Sequence, residues 1–191
     1  KTGDSASRKQ LSISWSYNMS EMQGPNIESY SGPDFTSVEF VPDFKRFGMK
    51  GMSDDMVQLL KKRVYDMAGI LKVKVILNGK EVKLRSFSQY VDMYLGEAAE
   101  QKITESEPRW KVVLVPQSDG QFQQVSFVNS ICTYKGGSHV NYIMDQVTTA
   151  VLAALKKKHK DMEVKPAQVR SFFFLFLSCS IENPAFDSQT K

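Results

Sequence analysis

The chain has 191 residues, of which 41% are hydrophobic and 24% charged, with a net charge of +4. That length suffices for one substantial core or two small ones, and the balance excludes a wholly disordered chain, while so small a charge identifies no partner by itself. Two cysteines, Cys132 and Cys179, are too few for a disulfide framework and share no metal-ligand spacing, so free thiols in a reducing compartment are expected.

In "LSISWSYNM" the apolar or aromatic residues Leu11, Ile13, Trp15, Tyr17 and Met19 alternate with Ser and Asn. This period of two predicts a strand with one face inside. Gly24-Pro25 and Gly32-Pro33-Asp34 punctuate the next stretch, and "FTSVEF" is a second strand candidate ended by Pro42-Asp43. Ser53 is placed to cap a helix with Asp54 and Asp55 at its positive end, an apolar stripe of Val57, Leu60, Val64 and Met67, and Gly69 as its stop.

The pair Asn78-Gly79 inside "VKVILNGKEVKL" tolerates the positive φ of a type I′ hairpin. Ser86 and Gln89 form a capping box over a helix with Phe87, Tyr90, Val91, Tyr94 and Leu95 on one face and Gly96 at its end. From Glu97 to Arg109 the pattern dissolves, and a domain boundary is expected there. Trp110 to Val115 then reads as a strand, Ser118-Asp119-Gly120 as a turn, and "FQQVSFVNSI" as the second strand of one hairpin. Gly136-Gly137 precedes a long helix, capped by Ser138 and marked by Val140, Ile143 or Met144, Val147, Val151, Ala154 and Leu155. The apolar run Phe172 to Ile181 is about half the length that spans a bilayer and reads as a buried strand, so no membrane partner is expected. Strand pair, helix and strand predict a β-α-β layer in the second half.

His139 and His159 stand apart from each other and from any cysteine or acidic residue at ligand spacing, so no metal site or catalytic triad is expected. Asp54 and Asp55 read as helix-dipole partners. Lys156, Lys157, Lys158 and Lys160 surround His159 at the end of the long helix. Such a cluster is either a solvated, dipole-compensating helix end or a place where a phosphate backbone lies; lysines contact phosphates without distinguishing bases. The closing "FDSQTK" is likewise either a frayed end or a loop presenting Gln189 and Lys191 to a phosphate.

The segments "QQVSFVNSICTYKGGSHVNY", "KKKHK" and "IENPAFDSQTK", with "FVPDFKRFGM", "RVYDMAG" and "SQYVDMYL" upstream in the same order, resemble the eukaryotic type of DNA topoisomerase II. The resemblance extends over nearly the whole chain from about residue 8. It implies an α/β (α+β) chain from the ATPase gate. Residues 1–96 are similar to the C-terminal part of the GHKL nucleotide-binding domain, a partial helix-on-sheet layer. Residues 97–191 are similar to most of the transducer domain, a ribosomal-protein type β-α-β fold with a left-handed crossover, against the usual hand.

By the same resemblance Gln189 and Lys191 contact the ATP γ-phosphate, with Lys191 in a catalytic, transition-state-stabilising role, and the Lys156–Lys160 cluster faces DNA. The implied cofactors are ATP and Mg2+ in the intact protein, with none expected on this chain alone. The implied partners are double-stranded DNA, the rest of the topoisomerase chain and a second copy in a homodimer. The implied location is the nucleus, with an organelle such as the mitochondrion as the alternative. Ser138 and Asn141 depart from the Arg and Asp usual in the family. The family's catalytic glutamate, magnesium-binding asparagine and glycine-rich lid have no counterpart in residues 1–50, so the chain is expected to be a fragment without hydrolytic activity. The lysines alone leave open another function, a stand-alone nucleic-acid-binding or protein-interaction module with no enzymatic role.

Overall fold

A computed structural model describes residues 1–96 and 101–187. The chain forms two compact units, Lys1–Val57 and Gln58–Lys191.

The first unit is built on a four-stranded antiparallel sheet in the order β3-β2-β1-β4, with β1 Thr2–Asp4, β2 Lys9–Ser16, β3 Glu21–Ser29 and β4 Phe35–Thr36. The alternation expected through Met19 stops early. Tyr17, Asn18 and Met19 have φ of 48°, 55° and 68°, so they form a left-handed turn into β3. Their side chains lie outside, and Trp15 is half exposed. The strand β3 escaped sequence reading because it carries Gly24-Pro25, a pair that ordinarily signals a break; a bulge between Ser12 and Ser14 accommodates the irregularity. Only Phe35 and Thr36 of "FTSVEF" form β4, with Ser37 and Lys1 exchanging backbone hydrogen bonds just beyond it, and Val38, Phe40 and Val41 are exposed.

The second unit is a sheet covered on both faces. Its strands are β7 Ile103–Glu107, β8 Trp110–Pro116, β9 Gln123–Val128, β10 Ile131–Cys132 and β11 Phe173–Cys179, in the order β10-β9-β11-β8-β7. The expected hairpin of β8 with β9 does not form. Instead β11 inserts between them, antiparallel to β8 and parallel to β9. The physical reason is burial: Leu175, Phe176 and Leu177 are wholly buried, and only a central strand covers both faces. Each such side chain contributes about 1.5–3 kcal/mol when removed from water. The partner of β9 in a hairpin is β10, across Asn129 and Ser130 with φ of 49° and 67°. The edge strand β7 lies in the stretch read as structureless; all five of its residues are exposed, so it has no apolar alternation to read.

On one face of this sheet, α2 (Phe87–Leu95) places Phe87, Tyr90 and Val91 against Val113, Val115, Phe127 and Phe176. Ser86 caps α2 as expected, its Oγ accepting from Gln89 N at 3.2 Å, and the Gln89 side chain accepts from Arg85 N at 2.8 Å. Ile70, at the end of α1 (Asp54–Ile70), joins the same core. The buried face of α1 is not the predicted stripe: Leu60 and Met67 are exposed, whereas Asp66, Ala68 and Gly69 are buried. Gly69 is not a stop but a close approach, since a Cβ there would lie 2.5 Å from Tyr90 Cβ. Asp66 accepts from Tyr90 Oη at 2.7 Å and from Lys62 at 2.9 Å. This packing ties α2 and most of α1 to the sheet of the second compact unit, which begins at Gln58. The hairpin of β5 (Ile76–Leu77) and β6 (Lys80–Glu81) turns at Asn78 and Gly79 with φ of 50° and 78°, as expected.

On the other face, α3 (Ser138–Lys158) buries Val140 and Met144 against Leu114, Leu175 and Leu177. A short α4 (Pro166–Ser171), which the apolar pattern does not mark, completes the β9-α3-α4-β11 connection between parallel strands. Cys132 and Cys179 are buried free thiols.

Candidate nucleotide-facing and DNA-facing ends of one helix

The first turn of α3 is fastened to the sheet by polar groups inside it. His139 is buried, and its Nε2 lies 3.0 Å from Thr133 Oγ1 and 3.2 Å from Ser126 Oγ, which are themselves 2.5 Å apart. Burial lowers the His139 pKa from its ordinary 6.5, so the ring is neutral at pH 7. His139, which the sequence does not mark as a metal ligand, is therefore a structural residue. The signal for it was Ser126, a hydroxyl between the apolar residues Val125 and Phe127. Ser138 opens the helix but does not cap it; Gly137, with φ of 150°, is the N-cap residue and has no side chain to cap it. Asn141 accepts from Arg170 at 2.8 Å, joining α3 to α4.

Beside this turn lies a depression of about 440 Å³. Gly136, Gly137 and His139 form one side, and Asn183, Pro184, Phe186 and Asp187 contribute from the segment after β11. That segment leads directly to residues 188–191. Gln189 and Lys191 lie outside the described residues. Among the described residues no three His, Cys, Asp or Glu side chains cluster as a metal site, and no helix is long and apolar enough to cross a membrane.

The opposite end of α3 carries the lysines. Lys156, Lys157 and Lys158 form its last turn, His159 is its C-cap, and Lys160 comes next; all five are exposed. None of the four lysines has an acidic partner within ion-pair distance among the described residues. With 1.5 Å of rise per residue, the helix separates its two ends by about 30 Å. The sequence placed the lysines together; the fold adds that one continuous helix runs from them to the depression that residues 183–187 line.

The DNA gyrase B family matches residues 56–191. DNA topoisomerase 2 of Penicillium chrysogenum is 45% identical over 204 residues, covering 100% of this chain and 13% of that protein. The ATPase region of Saccharomyces cerevisiae topoisomerase II superposes with a TM-score of 0.91 at 44% identity, over 100% of this chain and 49% of that one. The ATPase and transducer domains of DNA topoisomerase II from Balamuthia mandrillaris superpose with a TM-score of 0.92 at 38% identity, over 99% of this chain and 50% of that one.

Proposed function

The chain belongs to the type II DNA topoisomerase family, in the ATPase region of its eukaryotic members, and on that premise we propose that it couples ATP binding and hydrolysis to DNA strand passage within a longer protein. The observation that carries this reading is α3, with the base of the terminal loop at one end and four exposed lysines at the other. ATP, held with Mg2+ by the complete protein, supplies the charge and the bond energy. This chain's part is to sense it: the Lys191 ammonium and the Gln189 amide bond the γ-phosphate. Hydrogen bonds to a charged group are worth about 1.5–3 kcal/mol each, and these are lost when the phosphate departs. That difference is enough to bias the orientation of whole domains.

Lys156, Lys157, Lys158 and Lys160 take the phosphate backbone of a duplex without reading its sequence. The homodimer and a nuclear location belong to the same proposal, with the mitochondrion as the alternative location. The chain alone hydrolyses no ATP, because an ammonium without a general base orients no water.

The test is Lys191→Ala in the intact protein. Nucleotide affinity is expected to survive while ATP turnover falls on the order of 10²–10³-fold, the loss seen on removal of one preorganised donor. Lys191→Arg restores it only in part, since a planar fork does not replace a compact ammonium. Near-normal turnover in Lys191→Ala overturns the sensing role.

A further inference from the structure

Where the chain leaves β11 it is held from two sides. The Asn129 side chain meets the backbone of Ile181 with both its groups: Nδ2 donates to Ile181 O and Oδ1 accepts from Ile181 N, each at 2.9 Å. The amide thus pairs with Ile181 as a neighbouring strand would, while its own N–H donates to Cys179 O at 2.9 Å. On the other side Arg109 Nε donates to Ser180 O at 3.0 Å, Arg109 O accepts from Ser180 N at 2.8 Å, and the guanidinium meets Glu182 at 2.8 Å.

Neither residue is near this segment in the chain. Asn129 belongs to the turn between β9 and β10, and Arg109 to the turn between β7 and β8. Asn129 has a φ of 49°, a conformation that Asn tolerates better than most residues. The backbone geometry of that turn aims its side chain at Ile181. Beyond the clamp, residues 183–187 run along the depression beside Gly136 and Gly137.

We propose that Asn129 and Arg109 are positioning residues for the terminal loop: by clamping residues 180–182 to the end of the sheet they fix the base from which Gln189 and Lys191 reach the γ-phosphate. This rests on the sensing role proposed above for those two residues. An ammonium that stabilises charge on a transferring phosphoryl group must be placed to within a fraction of an ångström, and a displacement of about 1 Å made far from the chemistry can cost up to 10²-fold. Asn129 is expected to matter more than Arg109, because its short side chain pairs with both backbone groups of Ile181, whereas the Arg109–Glu182 ion pair is screened by water.

The test uses the intact protein and a double-mutant cycle. Asn129→Gly keeps the left-handed turn and removes both side-chain hydrogen bonds; Asn129→Asp keeps the acceptor and loses the donor, and serves if the glycine variant folds poorly. Asn129→Gly is expected to lower ATP turnover roughly 10- to 100-fold with KM nearly unchanged, and Asn129→Asp to lie between it and the wild type. Arg109→Gln should lose only several-fold. In combination with Lys191→Ala, Asn129→Gly should cost nothing further, because it acts through the same ammonium.

A full additional loss in the double variant marks a merely structural role and overturns the inference. So does ordinary turnover in Asn129→Gly when Lys191→Ala is slow, an outcome that leaves the sensing role standing. Ordinary turnover in Lys191→Ala overturns the sensing role and the inference with it.

Discussion

The first turn of α3 is held inside the protein by His139, Thr133 and Ser126, whereas the lysines of its last turn are exposed and make no ion pair among the described residues. At the first turn, removal from water obliges each polar group to find a partner, and the partners lock it in place. At the last turn, Lys156, Lys157 and Lys158 keep their hydration and complement the negative end of the helix dipole. Under the proposed function, the first end suits a segment that must be aimed and the other a polyanion that needs only to be attracted. A single helix serves both because its N-terminal half is fastened by Val140 and Met144 while its end runs beyond the core.

Breaking the exposed end should give the largest effect. Changing Lys156, Lys157, Lys158 and Lys160 together to Ala in the intact protein is expected to reduce the log–log salt slope of duplex binding by up to about 3.6, at about 0.9 per phosphate. Between 50 and 200 mM salt that corresponds to an affinity change on the order of 10²-fold. Filter binding or anisotropy with duplexes of unrelated sequence measures it; an unchanged slope returns the cluster to a solvated helix end.

The opposite face of the same sheet shows whether rigidity belongs to the α3 end or to the whole second unit. Gly69→Ala would drive a methyl group to 2.5 Å from Tyr90 Cβ, where no side-chain rotation relieves it. Overpacking of this kind costs about 1–3 kcal/mol. Urea titration should show the loss. A neutral result would mean that α1 and α2 separate more easily than their close approach suggests.

At the buried end of α3, Thr133→Val removes one hydroxyl and leaves His139 with Ser126 alone. The expected cost is about 1 kcal/mol, the net worth of an ordinary hydrogen bond. The same substitution should leave the salt slope of DNA binding untouched, which separates the two ends of the helix in one pair of measurements.

The last effect concerns pH. Because burial lowers the His139 pKa below 6.5, the unfolded chain binds its proton first, so this contribution to stability is present above pH 6.5 and is lost as pH falls through the lowered value. Cys179 has the opposite sign: burial pushes its thiol from 9.0 up to about 11, so its contribution is present below pH 9 and is lost as pH rises through 11. Stability should therefore be flattest between these two limits. His139→Gln should flatten the acid side alone, and an acid slope identical to that of the wild type would assign the titration to other groups.

Consecutive residues by themselves determined the hairpin at Asn78-Gly79, the Ser86 cap, the strand at 110–115, the apolar strand at 172–181 and the long helix with lysines at its end. Each of these rests on a preference that acts over a few residues: a tolerated positive φ, a side chain reaching a backbone amide, or an apolar period. The roles proposed for Gln189 and Lys191 rest on family resemblance alone, since a Gln-Thr-Lys sequence has no local signature of phosphate contact.

Tertiary structure alone decided that β11 separates β8 from β9, that β7 exists, that Gly69 is a contact and not a stop, and that Asp66 is buried beneath Tyr90. It also decided that Asn129 bonds Ile181, 52 residues away. The reason is that strand order and burial are settled by which surfaces meet when the chain closes on itself, and an exposed edge strand or a single clamping amide leaves no period in the sequence to read.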